Sequence, residues 1–381
     1  MLLISFTEFI LYICFSVLMG SLILFLVPED KKPPMDIPKK VLYLAAVLIP
    51  VTSFLPVFNT ANILAGNKDL WPILKGVIMT FEIGKAWMFV TFISVILLCV
   101  LGARQLKTKT HFITWALVLT LLMLFSYTMS SHAATITEWQ GFMAHSFHFL
   151  AVTVWIGLLL VASWFSKNKT NWLTFLKWFT PVAVVCLAVT LVAGYFTMTI
   201  DINSYDDPNA TVLQEYQNSL VVNYGQALVI KHIFIISLVL FAFLNGILFR
   251  KKHHEESFNP LKWGRLESVY ALIVFGLTAF MGQSWPPHQI YTLIKSYGAS
   301  PLFKTIYEGN FISTIHNAES TGIFNVTVIF GMESYLLFGL GVLFGLLTII
   351  AAVKKESVFV STFASLLMVV SVYFGIMMGI Q

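Results

Sequence analysis

The chain has 381 residues, of which 58% are hydrophobic and 11% are charged. Soluble domains carry about 25% charged residues and about 45–50% apolar ones, so this composition excludes an ordinary soluble enzyme. It also excludes a disordered chain, which could not be this apolar. The net charge of +5 is small for the length, and the three cysteines are far apart without a CxxC pair. We therefore expect neither a disulfide framework nor a thiolate metal cluster.

Long apolar windows dominate the sequence. A helix needs about 20 mostly apolar residues to cross about 30 Å of hydrocarbon, and continuous apolarity without alternation favours helices over a β-barrel. We predict an all-α fold, a polytopic transmembrane helical bundle of about ten spans. The predicted spans cover roughly residues 3–27, 41–60, 77–101, 112–130, 139–165, 174–200, 222–249, 262–284, 333–353 and 357–379.

The loops between these spans predict the orientation of the chain. Most Lys and Arg residues fall in alternate loops, which the positive-inside rule places in the cytoplasm. Both termini are then outside, in a multi-pass protein of the cytoplasmic membrane surrounded by lipid, with no nucleic acid partner. We predict four parts, namely 1–76 with two helices and an outer loop, 77–285 with helices 3 to 8, 286–332 as a structured outer loop, and 333–381 as a helix pair.

The charged residues within the predicted spans include Glu8, Glu82, Lys85 and Lys231. Such residues are costly in a membrane and are paired, cavity-facing or functional. In the predicted orientation they lie in the outer part of the bundle or close to its middle, as expected for a hydrated vestibule. A purely structural alternative stays open, because Glu82 and Lys85 are spaced to neutralise each other on one helix face. Lys231 would then pair with Glu8 or Glu82.

Three histidines are predicted to meet at the outer ends of neighbouring helices. His132 follows the fourth span, and His145 and His148 are one turn apart in the fifth. Imidazole ligates copper, zinc, nickel and iron, and thioether sulfur selects Cu(I). Because Met129 and Met143 lie beside these histidines, the residues favour copper, while zinc or nickel, haem and purely structural histidines stay open.

Several motifs resemble those of one known family. MSSHAA (129–134) and HFLAVTVWIGLLL (148–160) are similar to the SGHAA and LHxxAAxxWxGGL motifs of the CopD-type copper-resistance membrane proteins. NYGQALVIK (223–231) resembles the YGxLLxxK motif of the same family. The resemblance covers about residues 80–287, so that 77–285 is the predicted CopD-like core. The motif positions fall on His132, His148, Trp155, Tyr224, Gly225 and Lys231.

The resemblance implies a protein that moves copper across the cytoplasmic membrane and is not an enzyme. The predicted ligands of a copper ion, Cu(I) or Cu(II), are His132, His145, His148, Met129 and Met143. The predicted transport path or gate consists of Lys231, Glu82, Lys85, Glu8, Trp155 and Tyr224. We expect no fused CopC-like domain, so a separate extracytoplasmic protein of CopC type is the predicted copper donor.

Uptake would be passive or gradient-driven, because the sequence contains neither a GxxxxGK[ST] loop nor a DKTG sequence for the use of ATP. A rival function is that of a haem-binding membrane oxidoreductase, since paired histidines on facing helices also hold haem. A cytochrome oxidase copper-assembly factor is a further form of this rival.

Overall fold

The structure is a computed structural model, and it confirms the predicted all-helical, ten-span fold. It describes residues 2–103, 106, 109–203, 209–252, 258–307, 325–354 and 357–380, with only the backbone described at 247–252. Within these residues, ten helices are long and apolar enough to cross a membrane, which makes the chain a multi-pass membrane protein. These are α1 (Leu2–Leu26), α2 (Lys39–Ala65), α4 (Glu82–Gly102), α5 (Thr110–Thr128), α7 (Trp139–Phe165), α8 (Trp172–Ile202), α10 (Asn223–Lys252), α11 (Pro260–Gly282), α14 (Met332–Lys354) and α15 (Val358–Met377).

Shorter helices connect some of these spans. They are α3 (Leu70–Thr80), α6 (His132–Thr137), α9 (Val212–Ser219), α12 (Ile290–Tyr297) and α13 (Pro301–Ile306). Segment 286–332 thus contains α12 and α13, while its residues 308–324 lie outside the described residues. The predicted domain boundaries stay predictions.

The chain divides into two compact units. We call Leu2–Ile200 with Asn259–Ser268 the N-terminal unit, and Asp201–Phe258 with Val269–Gln381 the C-terminal unit. Each is described separately below.

The N-terminal unit is built around a close crossing of α1 and α7. A Cβ atom on Gly157 would collide with the carbonyl oxygen of Ser16, and one on Gly20 would collide with the backbone of Gly157. Small residues let two membrane helices approach until their backbones touch, and the resulting van der Waals contact replaces the hydrophobic driving force that lipid cannot supply. This crossing fixes α7, the helix that carries His145 and His148.

Polar bonds to a proline-containing stretch tie α2 to α4. Pro50 has no N–H, so the carbonyl of Ala46 loses its normal helical partner. Ser94 of α4 donates its hydroxyl to that carbonyl at 2.7 Å, and the indole N–H of Trp87 donates to the carbonyl of Pro50 at 2.9 Å. The neighbouring helix therefore satisfies backbone groups that lipid could not.

In the C-terminal unit, α14 and α15 pack as an antiparallel pair, and α10 packs against α15. Gln226 of α10 joins these elements, because its amide donates to the carbonyl of Leu220 and its oxygen accepts from the hydroxyl of Tyr373. These bonds hold the first turns of α10, where Tyr224 and Lys231 are found.

Candidate functional site

The connection between α5 and α7 positions His132. The Ser131 hydroxyl accepts a hydrogen bond from the backbone N–H of Ala134 at 3.3 Å, which caps the short helix α6 at its first residue, His132. Glu138 then adopts a φ of 41° between α6 and α7. This left-handed residue turns the chain sharply, so that α6 folds back on the first turn of α7.

A close contact holds α6 on α7. A Cβ atom on Gly141 would collide with the carbonyl of Ala133, the residue after His132. Gly141, His145 and His148 are spaced by four and three residues, so they form one stripe on the surface of α7. The contact therefore anchors the start of α6, and His132 with it, at the N-terminal end of the stripe that carries the other two histidines.

The rings of His145 and His148 have different surroundings. The ring of His145 stacks on Phe149, with 6.4 Å between ring centroids. Nδ1 of His148 lies 3.0 Å from the carbonyl oxygen of Thr190 in α8. The His148 ring also lies against Gly194, whose added Cβ would be 2.9 Å from two ring atoms. His148 therefore faces α8, and its Nδ1 is held as a donor to a backbone carbonyl.

Three of the five predicted ligands are exposed. Met129 and Met143 are exposed, with 56% and 41% of their surface accessible, and His132 is exposed as well. Within the described residues, no group of three or more His, Cys, Asp or Glu side chains is arranged to hold a metal ion. The structure anchors α6 on the histidine-bearing end of α7, and the copper-ligand roles of the five residues stay a prediction.

Glu8 accepts hydrogen bonds from two tyrosines, an arrangement that the sequence analysis did not predict. Its Oε1 accepts hydrogen bonds from the hydroxyl of Tyr12 at 2.8 Å and from that of Tyr127 at 2.9 Å. Both tyrosine rings contact Phe149, the residue on which His145 stacks. The bond from Tyr12 could have been predicted from the sequence, because Tyr12 is four residues after Glu8 and shares its helix face. Tyr127 is 119 residues away, so only the fold could place it there.

The other predicted path residues of the N-terminal unit have simpler surroundings. Lys85 forms a 2.8 Å ion pair with Glu82, as their spacing predicts, and both side chains are exposed. The predicted path roles of the two residues stay a prediction. Trp155 is buried, and its indole N–H has no hydrogen-bond partner among the described atoms. Its predicted role in the path is untested.

In the C-terminal unit, Tyr224 and Lys231 are found beside an acidic residue that had been expected in a loop. Helix α8 continues to Ile202, and Asp201 in its last turn is buried. The Tyr224 hydroxyl donates to Oδ2 of Asp201 at 3.3 Å, and Nζ of Lys231 lies 3.6 Å from the sulfur of Met281. The predicted span ends at residue 200, two residues before the end of α8, so the burial of Asp201 was not predicted.

The next residue of α10, His232, belongs to a separate contact. Its Nδ1 lies 3.0 Å from the hydroxyl of Tyr216 in α9, and the two rings stack. Burial raises the pKa of Tyr216 above its usual value, so the phenol keeps its proton.

Residues 2–142 match the family model described as the N-terminal domain of copper resistance protein D-like proteins. The chain carries a CopD-like domain. This CopD-like domain includes Met129, His132, Glu8, Glu82 and Lys85, and it ends one residue before Met143. The predicted resemblance to the CopD-type proteins is thus confirmed for residues 2–142, although the match begins at residue 2 and not near residue 80. No curated protein and no solved structure matches the chain.

Proposed function

We propose that this protein binds copper through a His/Met site at the outer ends of α5 to α7 and mediates passive or gradient-driven copper uptake across the cytoplasmic membrane. The observation that carries the proposal is the CopD-like match over residues 2–142, which ends on α7 and contains Met129 and His132. The contact of Gly141 with Ala133 supports it, because it fixes the start of α6 at the helix that carries His145 and His148.

The proposed ligands suit copper chemically. Imidazole nitrogen binds both oxidation states, and the thioethers of Met129 and Met143 favour Cu(I). The exposure of His132, Met129 and Met143 makes them accessible to a donor, for which a CopC-type protein is the proposed partner. His148 is the more rigid ligand, since Thr190 and Gly194 restrain its ring. An inside-negative membrane potential contributes about 2.3 kcal/mol per unit charge per 100 mV to cation entry, so uptake requires no ATP.

Beyond these ligands, Glu8 is a proposed path residue with a defined environment. Its carboxylate, held by Tyr12 and Tyr127, places negative charge among aromatic rings that extend to His145. Trp155 is likewise a proposed path residue of the N-terminal unit, and Tyr224 and Lys231 are proposed path residues of the C-terminal unit. Glu82 and Lys85 neutralise each other, so they contribute no net charge to it.

The test combines metal analysis of purified protein with copper flux into proteoliposomes at an inside-negative potential. The double variant His132→Ala/His148→Ala should lose most bound copper and reduce flux at least tenfold. His111→Ala is the matched control, because His111 is at the other end of α5 from Met129, about 27 Å along the helix. A melting temperature within a few degrees of wild type shows that a variant is folded.

Two results would contradict the proposal. One is unchanged copper content and flux in the folded double variant. The other is a Soret band in the absorbance spectrum of the purified protein, since that band reports haem and would support the oxidoreductase.

A further inference from the structure

Three helix ends of the C-terminal unit meet around Lys231. Asp201 lies in the last turn of α8, Tyr224 in the first turn of α10, and Met281 at the end of α11. Lys231 is eight residues into α10, about 12 Å along its axis. The four residues named here all lie in helices long enough to span a membrane.

The charges in this cluster attract each other without direct contact. Lys231 acts electrostatically on the Asp201 carboxylate. The ion pairs that the described residues form within 4 Å are Lys32 with Glu29, Lys85 with Glu82, and Lys167 with Asp36. Lys231 and Asp201 are therefore farther apart than a salt bridge, and the ammonium rests instead on the sulfur of Met281 at 3.6 Å.

Both charges have incomplete partners. Asp201 is only 8% exposed, and its Oδ1 has no hydrogen-bond partner in the part of the chain that the structure describes. A thioether sulfur is a weak acceptor for the Lys231 ammonium. Removing a charge from water costs several kcal/mol unless close partners compensate, so a purely structural pair would be expected to close the remaining distance. A cation bound between the carboxylate and the thioether would use both groups.

We propose that Asp201, Tyr224 and Met281 form a second binding site for a soft monovalent cation, the cuprous ion, and that the Lys231 ammonium competes with the bound ion for it. The thioether selects a soft metal, and the single carboxylate neutralises a single positive charge. Mg²⁺ and Ca²⁺ are hard ions that bind oxygen ligands, so the thioether of Met281 disfavours both. The ion must displace the ammonium, so Lys231 weakens its binding and favours its release. This inference rests on the proposed function for the identity of the metal.

Silver(I) is the probe, because it mimics Cu(I) without redox chemistry. Its binding is measured by equilibrium dialysis on the detergent-solubilised full chain in the His132→Ala/His148→Ala background, which removes the outer ligands. We expect Lys231→Met to raise the silver affinity at least tenfold. Lys231→Gln tests the same expectation with a polar side chain. Adding Asp201→Asn or Met281→Leu to Lys231→Met should reverse the gain.

Lys167→Met is the matched control, since Lys167 also lies near a carboxylate, 4.0 Å from Oδ2 of Asp36, but is outside the proposed path. It should leave silver affinity unchanged. Unchanged or weaker silver binding in both folded Lys231 variants would contradict the proposal that Lys231 competes with the ion. A gain in silver affinity that persists after Asp201→Asn is added would contradict it as well. If the His132→Ala/His148→Ala variant retains full copper content and flux, the proposed outer site is wrong. The silver measurement tests the second site independently of that result.

Discussion

Helices α7 and α8 are consecutive spans of similar apolar character, yet they are buried to very different extents. In the most apolar 18-residue stretch of each helix, 72% of the residues of α7 are buried but only 6% of those of α8. The difference lies in small residues at contacts, because Gly141 and Gly157 of α7 each touch a neighbouring backbone. Apolar character identifies a span, whereas close backbone contact identifies a helix at the centre of its unit.

The contact of α8 with α7 is local. It consists of the bond between His148 and the carbonyl of Thr190 and the packing of the His148 ring on Gly194. Side chains such as Val185 are exposed on α8. His148, a predicted copper ligand, therefore also forms the described link between the central helix α7 and the peripheral helix α8.

The largest effect is expected for Gly157→Ala. Its added Cβ meets the backbone of Ser16, which cannot move aside as a side chain could, so the variant should lose about 3 kcal/mol of unfolding free energy or fail to fold. Gly276→Ala is the control, because a Cβ there meets nothing within 4 Å. Thermal unfolding in detergent measures both. Equal melting temperatures would refute the central role of the α1–α7 crossing.

The sequence predicted much of this fold but little of its contacts. Ten spans follow from apolar length, and the stripe of Gly141, His145 and His148 follows from helical spacing. Ring directions do not follow, because the bond of His148 to Thr190 depends on how α8 packs. The contact of Gly157 with Ser16 does not follow from the sequence either, since it joins residues 141 positions apart in the chain.

An intermediate effect is expected for Gly194→Ala. The new Cβ would lie 2.9 Å from the His148 ring, which must rotate and give up its bond to Thr190. The loss should be about 1 kcal/mol, the usual value of one hydrogen bond. A double-mutant cycle with His148→Ala provides the control. If Gly194→Ala costs as much without the imidazole as with it, the contact with His148 is not the cause.

The smallest effect is expected for Val185→Ala in α8. Val185 is 62% exposed, so truncation should change the unfolding free energy by less than about 0.5 kcal/mol. Val161→Ala in α7 is the matched variant, because Val161 is fully buried and its truncation leaves a cavity that should cost about 1–2 kcal/mol. Chemical unfolding in mixed micelles compares them. A larger loss at Val185 than at Val161 would reverse the assigned roles of the two helices.

The bond from Ser94 to the carbonyl of Ala46 has a consequence for biogenesis. When α2 first enters the bilayer, Pro50 has already deprived that carbonyl of its helical donor, and α4 is still to be synthesised. Because a lone carbonyl is costly in hydrocarbon, we expect α2 to be fully stable in the bilayer only once α4 supplies the Ser94 hydroxyl.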